Sequence, residues 1–181
     1  MREIINLLET KNRPIDIELV QPSFKTELIP VISKETLDLH LTLANKYCTN
    51  YNEGINTDFS YAGYFLHNTL FTQYREVRNN NKPNGPMFGF INKHFGNFEN
   101  FKKEFEKVAM SLQGSNWVYL ADNGTIKTIK NHEVKDDILL LIDWWEHAFL
   151  LDYGSDKAKY LKEQWKIINW NVINTRWGHS L

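Results

Sequence analysis

IDWWEHAFLLDYG, residues 142–154, continues the apolar run ILLLI and crowds Asp143, Trp144, Trp145, Glu146 and His147 into consecutive positions. The apolar run reads as a buried strand. A strand end is a rigid place from which to aim a carboxylate. Asp143 and His147 stand four apart, which puts them on one face of a helix and also lets them converge at a strand-to-helix junction. A D-x-x-x-H pair specifies little alone, so the weight falls on the rest of the chain.

The 181 residues suit one ordinary domain, or two small lobes sharing a core. Apolar residues make up 42% and aromatics 14%, so much of the interior is expected to be ring against ring. The net charge of −1 offers no broad basic field, which argues against a nucleic-acid partner. The one cysteine, Cys48, reads as a small packed hydrophobe in a reducing compartment. MREIINLLETKNR carries acids and no unbroken apolar stretch, and ILLLI is too short for a bilayer, so the expectation is a soluble, intracellular, cytoplasmic protein without a membrane partner.

Residues 1–16 read as a short appended segment. The stretch VQPSFKTELIP is irregular, because Pro22 and Pro30 break any helix there. Ser33 offers an N-cap to a helix from Lys34, with Thr36, Leu37, Leu39, His40, Leu43, Ala44 and Tyr47 on its less polar side. A break with Gly54 leads to a second helix over 59–77. NNNKPNGP is a loop, followed by the helical patches MFGFINKHFG and NFENFKKEFEKVAMSLQG. NWVYLA and TIKTIK are strands joined through Asp122-Asn123-Gly124, a hairpin signal, and ILLLI is a third. KAKYLKEQWKIINWNVINTRW reads as one closing helical region. This order predicts an α+β fold: a shortened N-terminal helical hairpin lobe, residues 17–80, packed on a lobe of residues 81–181 in which helices flank a three-stranded antiparallel sheet.

Six histidines occur, and any one alone is more often structural than functional. Placement singles out His40 on the first helix, His67 midway along the second and His147 after the strand. His94 and His179 read as surface or tail residues. Three neutral imidazoles and one carboxylate suit iron, manganese or zinc better than soft metals. Such a set supports either metal-bound water chemistry or one-electron chemistry, and spacing does not choose between them.

DWWEHAFLLDY resembles the D-x-W-E-H-A-[FY]-x-x-x-Y signature of the iron/manganese superoxide dismutase family. ISKETLDLH, GSNWVYL, FGNFENFKKEF and QWKIINWNVI resemble other stretches of that family, so the likeness spans roughly residues 17–177. It implies one iron or manganese ion per chain, held by His40, His67, Asp143 and His147, with superoxide as substrate. At the second ligand the family reads Asn-His-Thr or Asn-His-Ser, whereas this chain reads Leu66-His67-Asn68-Thr69. Gly63 and His132 support the choice of His67 over Asn68, because manganese-type members pair a glycine on this helix with a long side chain arriving from the sheet. The resemblance makes His132 the outer donor to metal-bound solvent and Tyr47 the gateway tyrosine. One residue fewer separates Tyr47 from His40 than is usual, which rotates it about a third of a turn unless a bulge compensates. Trp145 is implied as a wall of the site, Trp117 as a residue of its surroundings or of the interface, Trp144 as core, and Glu146 as a contact to the partner's last ligand across a homodimer.

Three departures stand out. CTNYNEGINTDFS replaces most of a long helical hairpin. Leu43 and Ala44 occupy the places of a gateway histidine, and Leu150 that of its tyrosine partner across the dimer. Losing both halves of one hydrogen bond suggests a more apolar gateway or a changed dimer. The leading expectation is a superoxide dismutase. The alternatives are a non-catalytic subunit of a larger assembly, such as a virion or organellar ribosome, and a metal-dependent hydrolase or oxygenase on the same ligand set, of which zinc hydroxide chemistry would want a general base beyond His132.

Overall fold

The computed structural model describes residues 17–19 and 28–179. The segment 1–16 lies outside the described residues, and so does the His179 side chain. Helix α1, Lys34–Asn52, starts where the Ser33 side chain accepts from the Thr36 N–H at 3.1 Å, with Glu35 in the first turn favouring the positive end of the dipole. A tight turn through Gly54 at φ 77° leads into α2, Thr57–Thr72. These two helices form a hairpin. Next come α3, Gly85–Phe95, and α4, Phe98–Met110, the latter capped by Asn97. The strands are β1, Asn116–Ala121, β2, Ile126–Lys130, and β3, Ile138–Asp143. A 3-10 turn, Glu146–Ala148, is followed by α5, Leu150–Tyr153, α6, Lys157–Gln164, and α7, Trp170–His179.

The three strands form an antiparallel sheet in the order β2-β1-β3, so the fold is α+β. Because side chains alternate along a strand, the sheet separates two cores. Val118, Leu120, Leu140 and Ile142 join Phe101, Phe105, Trp144 and Trp170 on one side. Trp117, Tyr119, Ile129 and Leu141 join Leu37, Leu41, Leu66 and Leu70 of the hairpin on the other. All six residues of β1 and of β3 are buried, which accounts for their unbroken apolar character. Register pairs Trp117 with Asp143, which brings the aromatic wall beside the carboxylate.

Two helix boundaries differ from those expected. The second helix stops at Thr72 rather than 77 because the following backbone turns sideways: Arg75 N–H donates to Ile167 O at 2.9 Å, and Asn169 N–H donates to Gln73 O at 2.7 Å. The closing region is two helices, not one. Between them Ile168 is extended and Tyr74 bridges to it, while Asn81 donates to the carbonyls of Trp165 and Ile168. Tertiary pairing here overrides good helix propensity. His94 is exposed, as expected, yet it abuts the hairpin turn: a Cβ on Gly124 would lie 2.1 Å from its Nδ1.

Candidate metal centre

Four side chains from three elements and a turn meet between the hairpin and the sheet. α1 supplies His40, α2 supplies His67, the end of β3 supplies Asp143, and the 3-10 turn supplies His147. One donor atom from each lies within 4.8 Å of the others. Asp143 Oδ2 faces His40 Nε2 at 3.1 Å, His147 Nε2 at 3.2 Å and His67 Nε2 at 4.0 Å. All four atoms are buried, and none makes a hydrogen bond of acceptable angle. Each buried polar atom left so costs about 1–3 kcal/mol, so convergence of four on one point calls for a cation.

The surroundings hold each donor in place. His67 Nδ1 lies 2.6 Å from the Gly63 carbonyl; Nδ1 therefore carries the proton and Nε2 offers its lone pair to the cluster. Asp143 Oδ1 accepts from the Trp145 N–H at 2.8 Å, which turns Oδ2 inward. The Asp143 carbonyl accepts from the Tyr160 hydroxyl at 2.8 Å. Rings close the space: His40 lies 5.0 Å from Phe71 and His67 lies 5.0 Å from Trp117, both edge-on.

The charge states suit a cation. Burial alone would push the Asp143 carboxyl up, but His147 and His40 facing it hold it well below the ordinary carboxylate range. Burial lowers His40, despite Asp143 beside it. Burial, helped by His40, brings His67 down to about 3. His147 is more open, at 15% side-chain exposure, so the attraction of Asp143 outweighs its desolvation and its pKa rises. A carboxylate with largely neutral imidazoles is the mixed oxygen–nitrogen set that binds borderline metals.

Beside the cluster runs a hydrogen-bonded chain. Trp117 Nε1–H donates to His132 Nδ1 at 3.2 Å, and His132 Nε2 lies 2.8 Å from the Tyr47 hydroxyl. Since Nδ1 accepts, Nε2 carries the proton and donates to Tyr47. Trp145 stacks on His132 at 4.7 Å and 9°. Both His132 nitrogens are thus engaged, one by Trp117 and the other by Tyr47. The role expected for Gly63 changes. An added Cβ would lie 2.7 Å from Tyr47 Cγ, so the space left by the glycine holds the Tyr47 ring. Tyr47 is not rotated away by its short spacing: its ring lies 5.4 Å from that of His67. Burial, with Asp143 adding, raises its hydroxyl to about 12.

The family model described as "Iron/manganese superoxide dismutases, C-terminal domain" matches residues 83–176, and Superoxide dismutase (Mn/Fe) of Porphyromonas gingivalis is 36% identical over 178 residues, covering 83% of this chain and 93% of its own length. The chain belongs to the iron/manganese superoxide dismutase family. Superoxide dismutase (Fe) of Bacteroides fragilis is 33% identical over 184 residues, 86% of this chain and 95% of its own. Superoxide dismutase (Fe) of Plasmodium falciparum is 30% identical over 178 residues, 81% of this chain and 88% of its own.

For a member of this family, the remaining positions have clear surroundings. Trp144 is core, against Phe149 and Tyr160. Ala44 is fully buried and Leu43 half-buried on α1, whereas Leu150 is 53% exposed. Glu146 is exposed. Sequence reasoning missed Tyr160 and Gln73, which act on the backbone around the site. Their only signal is a polar group on an otherwise apolar face.

Proposed function

We propose that the protein is a superoxide dismutase that holds one iron or manganese ion on His40, His67, Asp143 and His147. The convergence of four buried, unpartnered donor atoms on one point carries this reading. When bound, the ion supplies one-electron chemistry, alternating between trivalent and divalent states to oxidise one superoxide to oxygen and reduce the next to peroxide.

The chain's own residues do the rest. Phe71, Trp117 and Trp145 keep bulk water from the ligands, which strengthens the electrostatic attraction for an anion. Peroxide formation consumes protons. Tyr47 holds one on its hydroxyl, and the His132 N–H bonded to that oxygen steadies the phenol's orientation. Trp117 fixes the His132 tautomer that makes this donation possible. Trp145 keeps the imidazole flat against the wall. The likeness to dismutases named for iron, manganese or both supports either metal. We further read the protein as a cytoplasmic homodimer built around Glu146, with the two lobes meeting near residue 80. A non-catalytic subunit would bury four unpartnered donors to no purpose. Elemental analysis with a superoxide assay tests the reading: stoichiometric iron or manganese with rapid dismutation is expected, and full metal without turnover would overturn it.

A further inference from the structure

Among the described residues, β3 has a neighbouring strand, β1, on one side only. An edge strand leaves alternate backbone groups without a ladder partner. Along β3, side chains from beyond the sheet take these groups. Leu141 N–H donates to Gln73 Oε1 at 3.1 Å, and Leu141 O accepts from Gln73 Nε2. Leu139 O accepts from Arg176 Nη1 at 2.8 Å. The same Nη1 donates to Gln73 Oε1 at 3.1 Å, while Nη2 donates to Thr69 O at 2.6 Å and Thr72 Oγ1 at 3.0 Å. Gln73 is 0% exposed. One guanidinium and one amide therefore tie the helix that carries His67 to the strand that carries Asp143. The tied atoms are close to the ligands in sequence: Thr69 is two residues past His67, and Leu141 two before Asp143.

We propose that Arg176 and Gln73 are positioning residues for the metal, fixing the spacing of α2 from β3 and so the 4.0 Å between His67 Nε2 and Asp143 Oδ2 on which retention of the ion depends. This rests on the metal-dependent reading above. Ligand distances tolerate errors of only about 0.2 Å. Apolar side chains at 73 and 176 could fill the same volume, but they would leave the β3 edge groups unpaired and the two elements free to slide. Partners that orient metal ligands are worth about 10–100-fold in metal affinity.

The test uses full-length protein loaded with Mn(II). Gln73→Leu and Arg176→Lys are compared with Phe105→Leu, a core change in α4 remote from the clamp, by the rate of manganese loss to a chelator and by thermal unfolding of metal-free protein. We expect the two clamp variants to lose metal about 10–100-fold faster than wild type, and faster than Phe105→Leu at matched thermal stability. Gln73→Glu keeps an acceptor for Leu141 N–H and Arg176, so it should restore part of the retention; with Arg176→Lys it serves if Gln73→Leu does not fold. Clamp variants that lose metal no faster than Phe105→Leu at equal stability overturn the inference. Wild type that binds no ion overturns it together with the proposed function, whereas retention by wild type and variants alike overturns the clamp alone.

Discussion

Replacing Gly63 with alanine tests whether the Tyr47–His132 arrangement is held by close packing. The added Cβ would sit 2.7 Å from Tyr47 Cγ, 2.8 Å from Cδ1 and 3.0 Å from Cδ2. Ordinary contact needs roughly 0.7–1 Å more, and a rigid ring has no flexible end that can yield. A shift of that size stretches the 2.8 Å bond from His132 Nε2 to the Tyr47 hydroxyl past hydrogen-bonding range. Overpacking costs about 1–3 kcal/mol, and the lost hydrogen bond about 1 kcal/mol more. In a Tyr47→Ala background the clash disappears. There Gly63→Ala should be neutral or stabilising by up to about 1 kcal/mol, the helix preference for alanine over glycine. A double-mutant cycle by denaturant unfolding should therefore give a coupling of about 2–4 kcal/mol. Dismutation by Gly63→Ala should fall about tenfold or more at unchanged metal content, because the donor that steadies the Tyr47 phenol is displaced. Additivity of the two substitutions, or full activity in Gly63→Ala, would refute the reasoning.

Other consequences are sharp enough to measure. His67→Ala removes one of four converging donors and should lower metal occupancy by about 100-fold or more in a chelator competition, whereas Asn68→Ala should leave it close to wild type. Just before β3, burial works to raise the Asp137 carboxyl, but Lys127 at 2.6 Å and the Tyr119 hydroxyl at 3.2 Å leave it depressed. A depressed carboxyl contributes stability above its unfolded value of about 3.9 and loses it as pH falls through the folded value. The thermal midpoint gap between wild type and Asp137→Asn should be widest near neutrality and close as pH drops below that value.

The parts of this fold that sequence shows well are those fixed by local chemistry. Ser33 and Asn97 mark helix starts through side chains that reach their own first turns, and Asp122-Asn123-Gly124 marks the hairpin because Gly124 adopts φ 83°. The alternation that splits the sheet into two cores is equally local. The end of α2 and the break after Gln164 are not, since both arise where residues 73–78 pair with residues 166–169 across the chain. The site divides the same way. His40, His67, Asp143 and His147 stand out through a long motif and its companions, and the structure brings them together. Spacing alone would misplace Tyr47, because helix phase from His40 ignores that its ring settles in the space over Gly63. Gln73, Tyr160 and Arg176 are illegible in sequence for a further reason: each serves the site by binding backbone far along the chain, and a backbone carbonyl has no sequence identity.

The surface around Glu146 carries the oligomer question to a decisive experiment. Leu150 and Leu151 are 53% and 60% exposed in α5, immediately after the turn that holds Glu146 and His147. α1, whose Leu39 is 39% exposed, packs against that same segment, and Asp152 and Tyr153 bond to the backbone of Ser33 and Val31 at its start. If two copies met here about a twofold axis, each of these adjacent exposed leucines would be covered twice. Burying one leucine contributes about 1.5–3 kcal/mol, so Leu151→Glu should cost a symmetric pair about 3–6 kcal/mol, or roughly 100- to 20,000-fold in dissociation constant. Sedimentation velocity should show wild type at twice the chain mass at micromolar concentration and Leu151→Glu as a monomer with its helical circular dichroism intact. A wild-type monomer would place the dimer elsewhere or nowhere. A Leu151→Glu dimer of unchanged affinity would show that subunits meet on another face.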